Sequence, residues 1–375
     1  MSLRVIFAGG GTAGHINPAL AIAGYLKQKQ PDAEILYIGN KGGMEERLVP
    51  KAGFEFKSIH VSGFSRAKSP KALVTNVKTV GRALTATAAC KKLIDDFKPD
   101  ICIGTGGYVS GPVMKAAAER GVPVLIHEQN AFPGVANKML AKKAAAVMLA
   151  IEDAKKYMSD GCNFIVTGNP VRPEIISADK QKCRSELGLD ERPVVLSFGG
   201  SLGADRVNEA CADIIARSGR DGRYQHIHAY GQYGHWFPDK VKEMGCDITK
   251  CSNLDIREYI DNMPTCLAAA DVVVCRAGAI TISEIQAQGK PAVFIPSPNV
   301  AENHQYHNAM ALVEKHAGEI IEEKDLTGER LCEKVDAIVS DKRKLEEYSE
   351  NARRMAIIDA NERIYNVIMK TVGDL

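Results

Sequence analysis

Two stretches of this sequence share one grammar, and that grammar constrains the fold more than any other feature. Arg4-Val-Ile-Phe-Ala8 is a short apolar run that passes into Gly9-Gly-Gly-Thr-Ala-Gly-His15, and a helical pattern follows from about Asn17. Pro193-Val-Val-Leu-Ser-Phe198 passes into Gly199-Gly-Ser-Leu-Gly203, and a helical pattern follows over 204–216. Each reads as strand, glycine loop and helix start. Such a loop lets the backbone come close to a ligand. The helix start offers unpaired N–H groups and a positive dipole end, which favour phosphate or developing negative charge.

The intervening chain keeps the same rhythm. Residues 33–39, 54–61, 101–105, 122–127, 145–150 and 163–167 read as strands separated by helical patterns, and 224–229, 271–275 and 291–295 continue the series in the second half. Strands alternating with helices imply parallel sheets with helical crossovers, hence a doubly wound α/β fold. Ligands of such sheets sit at the carboxyl ends of the strands. Gly168-Asn-Pro-Val-Arg172 interrupts the pattern with a stiff proline turn and marks a junction. We therefore expect domains at 1–167 and 168–355, with the segment 356–375 as a helix packing back on the first.

Composition limits the classes left. A chain of 375 residues is long for a single core. The net charge of +2 gives no global field for a nucleic-acid partner. The 10 cysteines are scattered, with no C-x-x-C pair or zinc spacing, and read as reduced core residues of a cytosolic protein. Met1-Ser-Leu-Arg4 leads directly into a strand, so no signal peptide is expected. No apolar run approaches the roughly 20 residues of a membrane span.

One segment departs in charge. Residues 61–94 carry Arg66, Lys68, Lys71, Lys78, Arg82, Lys91 and Lys92. Leu73, Val77, Val80 and Leu84 recur there at helical spacing beside Phe64. A basic amphipathic helix suits an anionic membrane surface, and equally a core-facing stripe with a solvated basic face.

Gly9-x-Gly11-x-x-Gly14 satisfies the dinucleotide fingerprint in form. A nicotinamide site also wants a carboxylate at the end of the second strand, and that strand ends Leu36-Tyr-Ile-Gly-Asn40 without one. No P-loop and no D-x-D pair occurs in the chain. The second half offers the better nucleotide pocket. Gly199-Gly-Ser201 can meet a diphosphate, and Arg276-Ala-Gly-Ala-Ile-Thr-Ile-Ser-Glu284 opens a helix where Glu284 could accept ribose hydroxyls. His304 and Gln305 follow a proline-stiffened loop and could bond sugar hydroxyls.

Several motifs together resemble one family. They are the loop ending in His15, Gly106-Gly-Tyr-Val-Ser-Gly-Pro112, His127-Glu-Gln-Asn130, Gly168–Arg172, Gly199–Ala204 and Arg276–Glu284. In order, over nearly the whole chain, they are similar to the peptidoglycan N-acetylglucosaminyltransferases of glycosyltransferase family 28. The resemblance implies a GT-B fold, two Rossmann-like doubly wound domains facing across a cleft. It implies inverting transfer of N-acetylglucosamine from UDP-N-acetylglucosamine to the C4 hydroxyl of the N-acetylmuramoyl unit of lipid I, giving lipid II, with no metal or other cofactor. Donor contacts would fall on Thr12, Ala13, Gly14, Asn130, Arg172, Ser201, Ile260, Ala279, Ile280, Thr281, Ile282, Ser283, Glu284 and Gln305. Ile260 would offer backbone to the uracil, Ser201 would meet the diphosphate, and Gln305 the sugar. Ala13 stands where family members often carry glycine, a small departure.

An inverting transfer needs a base for the acceptor proton. His15 is the candidate, because the positive end of a helix favours a neutral, proton-accepting ring. It could instead cap the helix or hold the acceptor. Glu128 and His127 are rival bases. A lipid-linked acceptor also favours membrane contact through Phe64, Lys71, Leu73, Val77, Lys78, Val80, Arg82 and Leu84. The expected partners are then UDP-N-acetylglucosamine, lipid I, the anionic inner leaflet at the cytoplasmic face and cell-wall or division proteins. Another acceptor, or a UDP-N-acetylglucosamine epimerase, is the alternative, and a nucleotide-binding protein without catalysis is the non-enzymatic one.

Overall fold

The structure is a computed structural model, described over residues 2–61 and 85–373. The membrane-contact residues named above, Phe64 to Leu84, lie outside the described residues. The chain forms two compact units, Met1–Pro170 with Asp359–Leu375, and Val171–Ile358.

Among the described residues the first unit is built on seven strands: β1 (Arg4–Gly9), β2 (Glu34–Asn40), β3 (Glu55–Ile59), β4 (Ile101–Gly106), β5 (Val124–Glu128), β6 (Ala146–Leu149) and β7 (Phe164–Val166). They lie in the order β3-β2-β1-β4-β5-β6-β7, and every neighbouring pair is parallel. In β1, Val5, Ile6, Phe7 and Ala8 are all fully buried. A strand covered on both faces must be apolar at every position, which is why it reads as a continuous run rather than an alternation.

The helix Ala13–Lys29 buries Ile16, Ala19, Ile22, Ala23 and Leu26, a stripe at helical spacing. Most of that stripe packs with Val5, Phe7 and Ile103 of the sheet and with Ile364, Val367 and Ile368 of the last helix, Ala360–Gly373. Tyr25 donates to Glu362 and Gln30 donates to Tyr365 Oη at 2.8 Å along the same seam.

The first helix begins at Ala13, four residues before the start near Asn17 expected from the sequence. Proline is favoured at the first position of a helix. Pro18 sits inside the helix instead, where its missing N–H forfeits one bond early in the element. The consequence is that His15 belongs to the first helical turn rather than to the loop.

The second unit holds β8 (Val194–Phe198), β9 (Gln225–Ala229), β10 (Leu254–Arg257), β11 (Val272–Cys275), β12 (Ala292–Phe294) and β13 (Gly318–Ile320). Their order is β10-β9-β8-β11-β12-β13, again parallel throughout. The central strands match those expected from the sequence. β10 and β13 were not expected, and they are the two edges. Edge strands are kept short and polar, so Leu-Asp-Ile-Arg and Gly-Glu-Ile carry little apolar signal.

Strand order reverses between β1 and β4 in the first unit and between β8 and β11 in the second. The loops beside these points are the favoured ligand positions of a doubly wound sheet. Glycine permits a close approach there. Gly107 has φ +78°, and a Cβ on it would lie 2.0 Å from the Gly10 carbonyl oxygen. In the second unit a Cβ on Gly203 would lie 2.3 Å from the Tyr230 carbonyl oxygen. In each unit the first glycine loop is thus pressed against the loop of a neighbouring strand.

Candidate functional site

In the first unit, Thr12 takes the extended N-cap conformation of the helix Ala13–Lys29 and makes no side-chain cap bond. Thr12 and Gly14 are exposed, while Ala13 and His15 are partly buried. The helix start is therefore open to solvent, and the first N–H groups of a helix have no partner within it.

His15 is held from three sides. Its backbone carbonyl accepts from Thr105 Oγ1 at 2.7 Å. Its ring lies over Gly106, where a Cβ would come within 3.0 Å of Nδ1. Its Nδ1 meets Gln129 Oε1 at 3.2 Å. The Gln129 amino group sits 3.0 Å from both His127 Nδ1 and the His127 carbonyl oxygen, and His127 Nε2 sits 3.0 Å from the Gly168 carbonyl oxygen. His127 and Gln129 are almost wholly buried. Burial lowers the His127 pKa, against a smaller raising effect of its bond to Gly168.

Glu128 has a different surrounding from that expected of a rival base. It is 1% exposed, and its two oxygens accept four hydrogen bonds. Oε1 takes the Asn130 backbone N–H at 3.0 Å and Asn130 Nδ2 at 3.1 Å. Oε2 takes the Gly134 N–H at 2.9 Å and Asn137 Nδ2 at 2.8 Å. The carboxylate closes the loop after β5 and fixes Asn130.

In the second unit, Ser201 lies in the exposed loop after β8, with Gly200 at φ +103° and Gly203 at φ +87°. Gly278 is the N-cap of the helix Ala279–Gln288 after β11. Ala279, Ile280 and Thr281 form its first turn, followed by Ile282 and Ser283. Glu284 comes a turn further in, rather than at the helix start as the sequence reading had it. It is 8% exposed and accepts from Arg172 Nε at 2.8 Å. Ile260 follows β10 and is buried. Gln305 opens the helix His304–Val313, and its Oε1 accepts the Ser297 N–H at 2.9 Å. His304 Nδ1 meets the Ala301 carbonyl oxygen at 2.8 Å. Both residues thus shape the loop after β12.

Ser201, Ile260, Ala279–Glu284 and Gln305 all follow carboxyl ends of strands of one parallel sheet, as Thr12–His15 and Asn130 do in the other. Two structural roles were missed from sequence. Gln129 stood inside the His127–Asn130 motif with no role given to it. Arg276 clamps the Ile295 and Pro296 carbonyl oxygens at 3.1 Å each and pairs with Glu323, so it holds the loop after β12. An arginine that opens a glycine-bearing helix start was the available signal, but its carbonyl partners are distant in sequence.

Two Rossmann-like units with glycine loops beside their strand-order reversals are the architecture of GT-B glycosyltransferases. The model of the glycosyltransferase family 28 N-terminal domain matches residues 5–149, and that of the family 28 C-terminal domain matches residues 194–364. The chain belongs to glycosyltransferase family 28. It is 45% identical over 367 residues to the UDP-N-acetylglucosamine--N-acetylmuramyl-(pentapeptide) pyrophosphoryl-undecaprenol N-acetylglucosamine transferase of Acetivibrio thermocellus, covering 98% of this chain and 97% of that one. The crystal structure of Acinetobacter baumannii MurG superposes with a TM-score of 0.78 at 28% identity, over 98% of this chain and 99% of that one. CalG4, the calicheamicin glycosyltransferase, shares the fold at a TM-score of 0.70 and 16% identity, over 99% of this chain and 98% of that one.

Proposed function

We propose that this protein transfers N-acetylglucosamine from UDP-N-acetylglucosamine to the C4 hydroxyl of the N-acetylmuramoyl-pentapeptide unit of undecaprenyl-linked lipid I. The observation that carries this reading is the 45% identity to the Acetivibrio thermocellus transferase across almost the full length of both chains. The acceptor C4 oxygen attacks C1 of the donor sugar. The C1–O bond to the β-phosphate breaks, UDP leaves with the electron pair, and the acceptor proton passes to His15. Configuration at C1 inverts.

Each unit supplies chemistry suited to one part of the reaction. The second unit has the glycine loop at Ser201 and the helix start at Ala279 to meet the charge left on UDP, without a resident metal. Glu284 would take the ribose, the Ile260 backbone the uracil, and the Gln305 amino group a sugar hydroxyl. Arg172 would stand beside Glu284. In the first unit the helix start at Thr12–Gly14 and the fixed Asn130 amide add polar contacts, and His15 takes the proton.

Among the described residues no helix is long and apolar enough to cross a membrane. We place the protein at the cytoplasmic face of the membrane through the basic apolar stretch from Phe64 to Leu84, where anionic lipids attract lysine and arginine.

The deciding experiment follows isotope-labelled sugar from UDP-N-acetylglucosamine to a short-chain lipid I analogue. A β-linked disaccharide product, formed equally well in EDTA, is expected. Free epimerised sugar, or UDP release that ignores the acceptor, would refute the reading.

A further inference from the structure

We infer that Gln129 and His127 are positioning residues that fix which nitrogen of His15 carries the proton, leaving Nε2 as the bare, proton-accepting atom. The inference rests on the base role proposed for His15 and adds to it the atom and the device that selects it.

The direction of the hydrogen-bond chain is set at both ends by groups that can only accept. The His127 carbonyl oxygen lies 3.0 Å from one terminal atom of the Gln129 amide. An amide oxygen there would oppose a carbonyl oxygen, so the amino group must occupy the position. Gln129 Oε1 is then the atom turned to His15 at 3.2 Å, and it too only accepts. Nδ1 of His15 must carry the hydrogen. At the other end, the Gly168 carbonyl oxygen lies 3.0 Å from His127 Nε2, so that nitrogen must carry a hydrogen. The Gln129 amino group, a donor, faces His127 Nδ1 at 3.0 Å, so that nitrogen is bare and the ring carries one hydrogen, in keeping with burial lowering its pKa. Every link is satisfied in one arrangement only: Nε2–H on His127 and Nδ1–H on His15.

That arrangement matters because an imidazole can accept a proton only at its bare nitrogen, and the bond made by the other nitrogen decides which one is bare. Free imidazole side chains in water prefer the hydrogen on Nε2, the opposite of what the chain imposes on His15. Nε2 of His15 meets no hydrogen-bond partner among the described residues. Gln129 is 1% exposed, so water does not compete for the bond. The absence of a side chain on Gly106 spares Nδ1 a Cβ that would come within 3.0 Å. When Nε2 takes the acceptor proton, the new charge is met at Nδ1 by the Gln129 carbonyl dipole, already in place.

The test is nitrogen-15 NMR of the full chain labelled at its histidine rings. His15 signals are assigned by their loss in His15→Asn and His127 signals by their loss in His127→Gln. At a pH where both rings are neutral, His15 should show a bare-nitrogen shift at Nε2 and a protonated one at Nδ1. His127 should show the reverse pair. Gln129→Met should return His15 to a mixture of tautomers. It should also lower kcat by roughly 10-fold or more, with KM for UDP-N-acetylglucosamine unchanged. A protonated Nε2 on His15 in the unaltered protein overturns the inference, even if Gln129→Met fails to fold. So does a Gln129→Met protein that keeps both the tautomer and kcat. A protein with the stated tautomers that transfers no sugar refutes the transferase reading and leaves the hydrogen-bond chain standing.

Discussion

Glu128→Gln separates a loop-holding carboxylate from a proton acceptor. Glu128 accepts two hydrogen bonds on each oxygen, all from N–H groups of Asn130, Gly134 and Asn137. A glutamine must turn its amino group toward one of these pairs, so two bonds become donor-against-donor contacts whichever way the amide lies. Hydrogen bonds to a charged group are worth about 1.5–3 kcal/mol each, so the loop loses on the order of 3–6 kcal/mol. One factor of ten corresponds to about 1.4 kcal/mol. Amide hydrogen exchange over residues 129–137 should therefore quicken by at least about 100-fold where opening of this loop limits it. Turnover should fall as Asn130 loses its fixed position, and its pH dependence should keep its shape. Retained exchange protection, with turnover abolished and the limiting titration gone, would show Glu128 to be the base and refute the structural role.

Further predictions follow from the same structure. His15→Ala should lower kcat by about 10²–10⁴-fold while calorimetric UDP affinity changes little, and collapse of UDP binding would contradict the base role. Gly107→Ala should cost far more stability than Gly42→Ala, measured by thermal unfolding. Both have positive φ, but only Gly107 has backbone within contact, at 2.0 Å, whereas Gly42 has nothing within 4 Å. Burial pushes His228 down to about 3, and His226 well below the usual imidazole range. The folded chain keeps both neutral while the unfolded chain protonates near 6.5. Stability from this pair is thus full above about pH 6.5 and falls by about 1.4 kcal/mol per pH unit per histidine below it. Unfolding of the second unit, followed through Trp236, the single tryptophan, should show this slope, and His228→Gln should reduce it by about half. Reversing charge at Lys71, Lys78 and Arg82 should weaken sedimentation with anionic vesicles, and unchanged sedimentation would remove the membrane role.

How much of this could be read from sequence depended on whether the signal was local. The central strands announce themselves because a doubly covered strand such as Val5–Ala8 has no polar position to blur it. The edge strands Leu254–Arg257 and Gly318–Ile320 do not, because an edge must resist further pairing and so carries charge and few residues. The first helix was placed late, from about Asn17, because the glycines before it read as loop, whereas the helix that packs Ala19 and Ile22 against the sheet starts at Ala13. At the site, residue types were legible and roles were not. A carboxylate beside a histidine suggests a base. What makes Glu128 a brace is a set of N–H groups gathered by the turn after β5, and sequence does not encode their direction. Gln129 is the clearest case: its role lies in which end of its amide faces His15, and only the fold fixes that.

The last helix has a consequence for how the molecule comes into being. Ile364, Val367 and Ile368 complete the packing of Ala19, Ile22 and Leu26, yet the ribosome makes them only after the whole second unit. Burial of those three side chains contributes on the order of 5–9 kcal/mol, comparable with the net stability of an entire domain. During synthesis the first unit therefore waits, its helix Ala13–Lys29 lacking a cover, while Val171–Ile358 emerges and folds. A nonsense mutation near codon 360 would spare every residue proposed to touch donor or acceptor and still cripple the unit that carries His15.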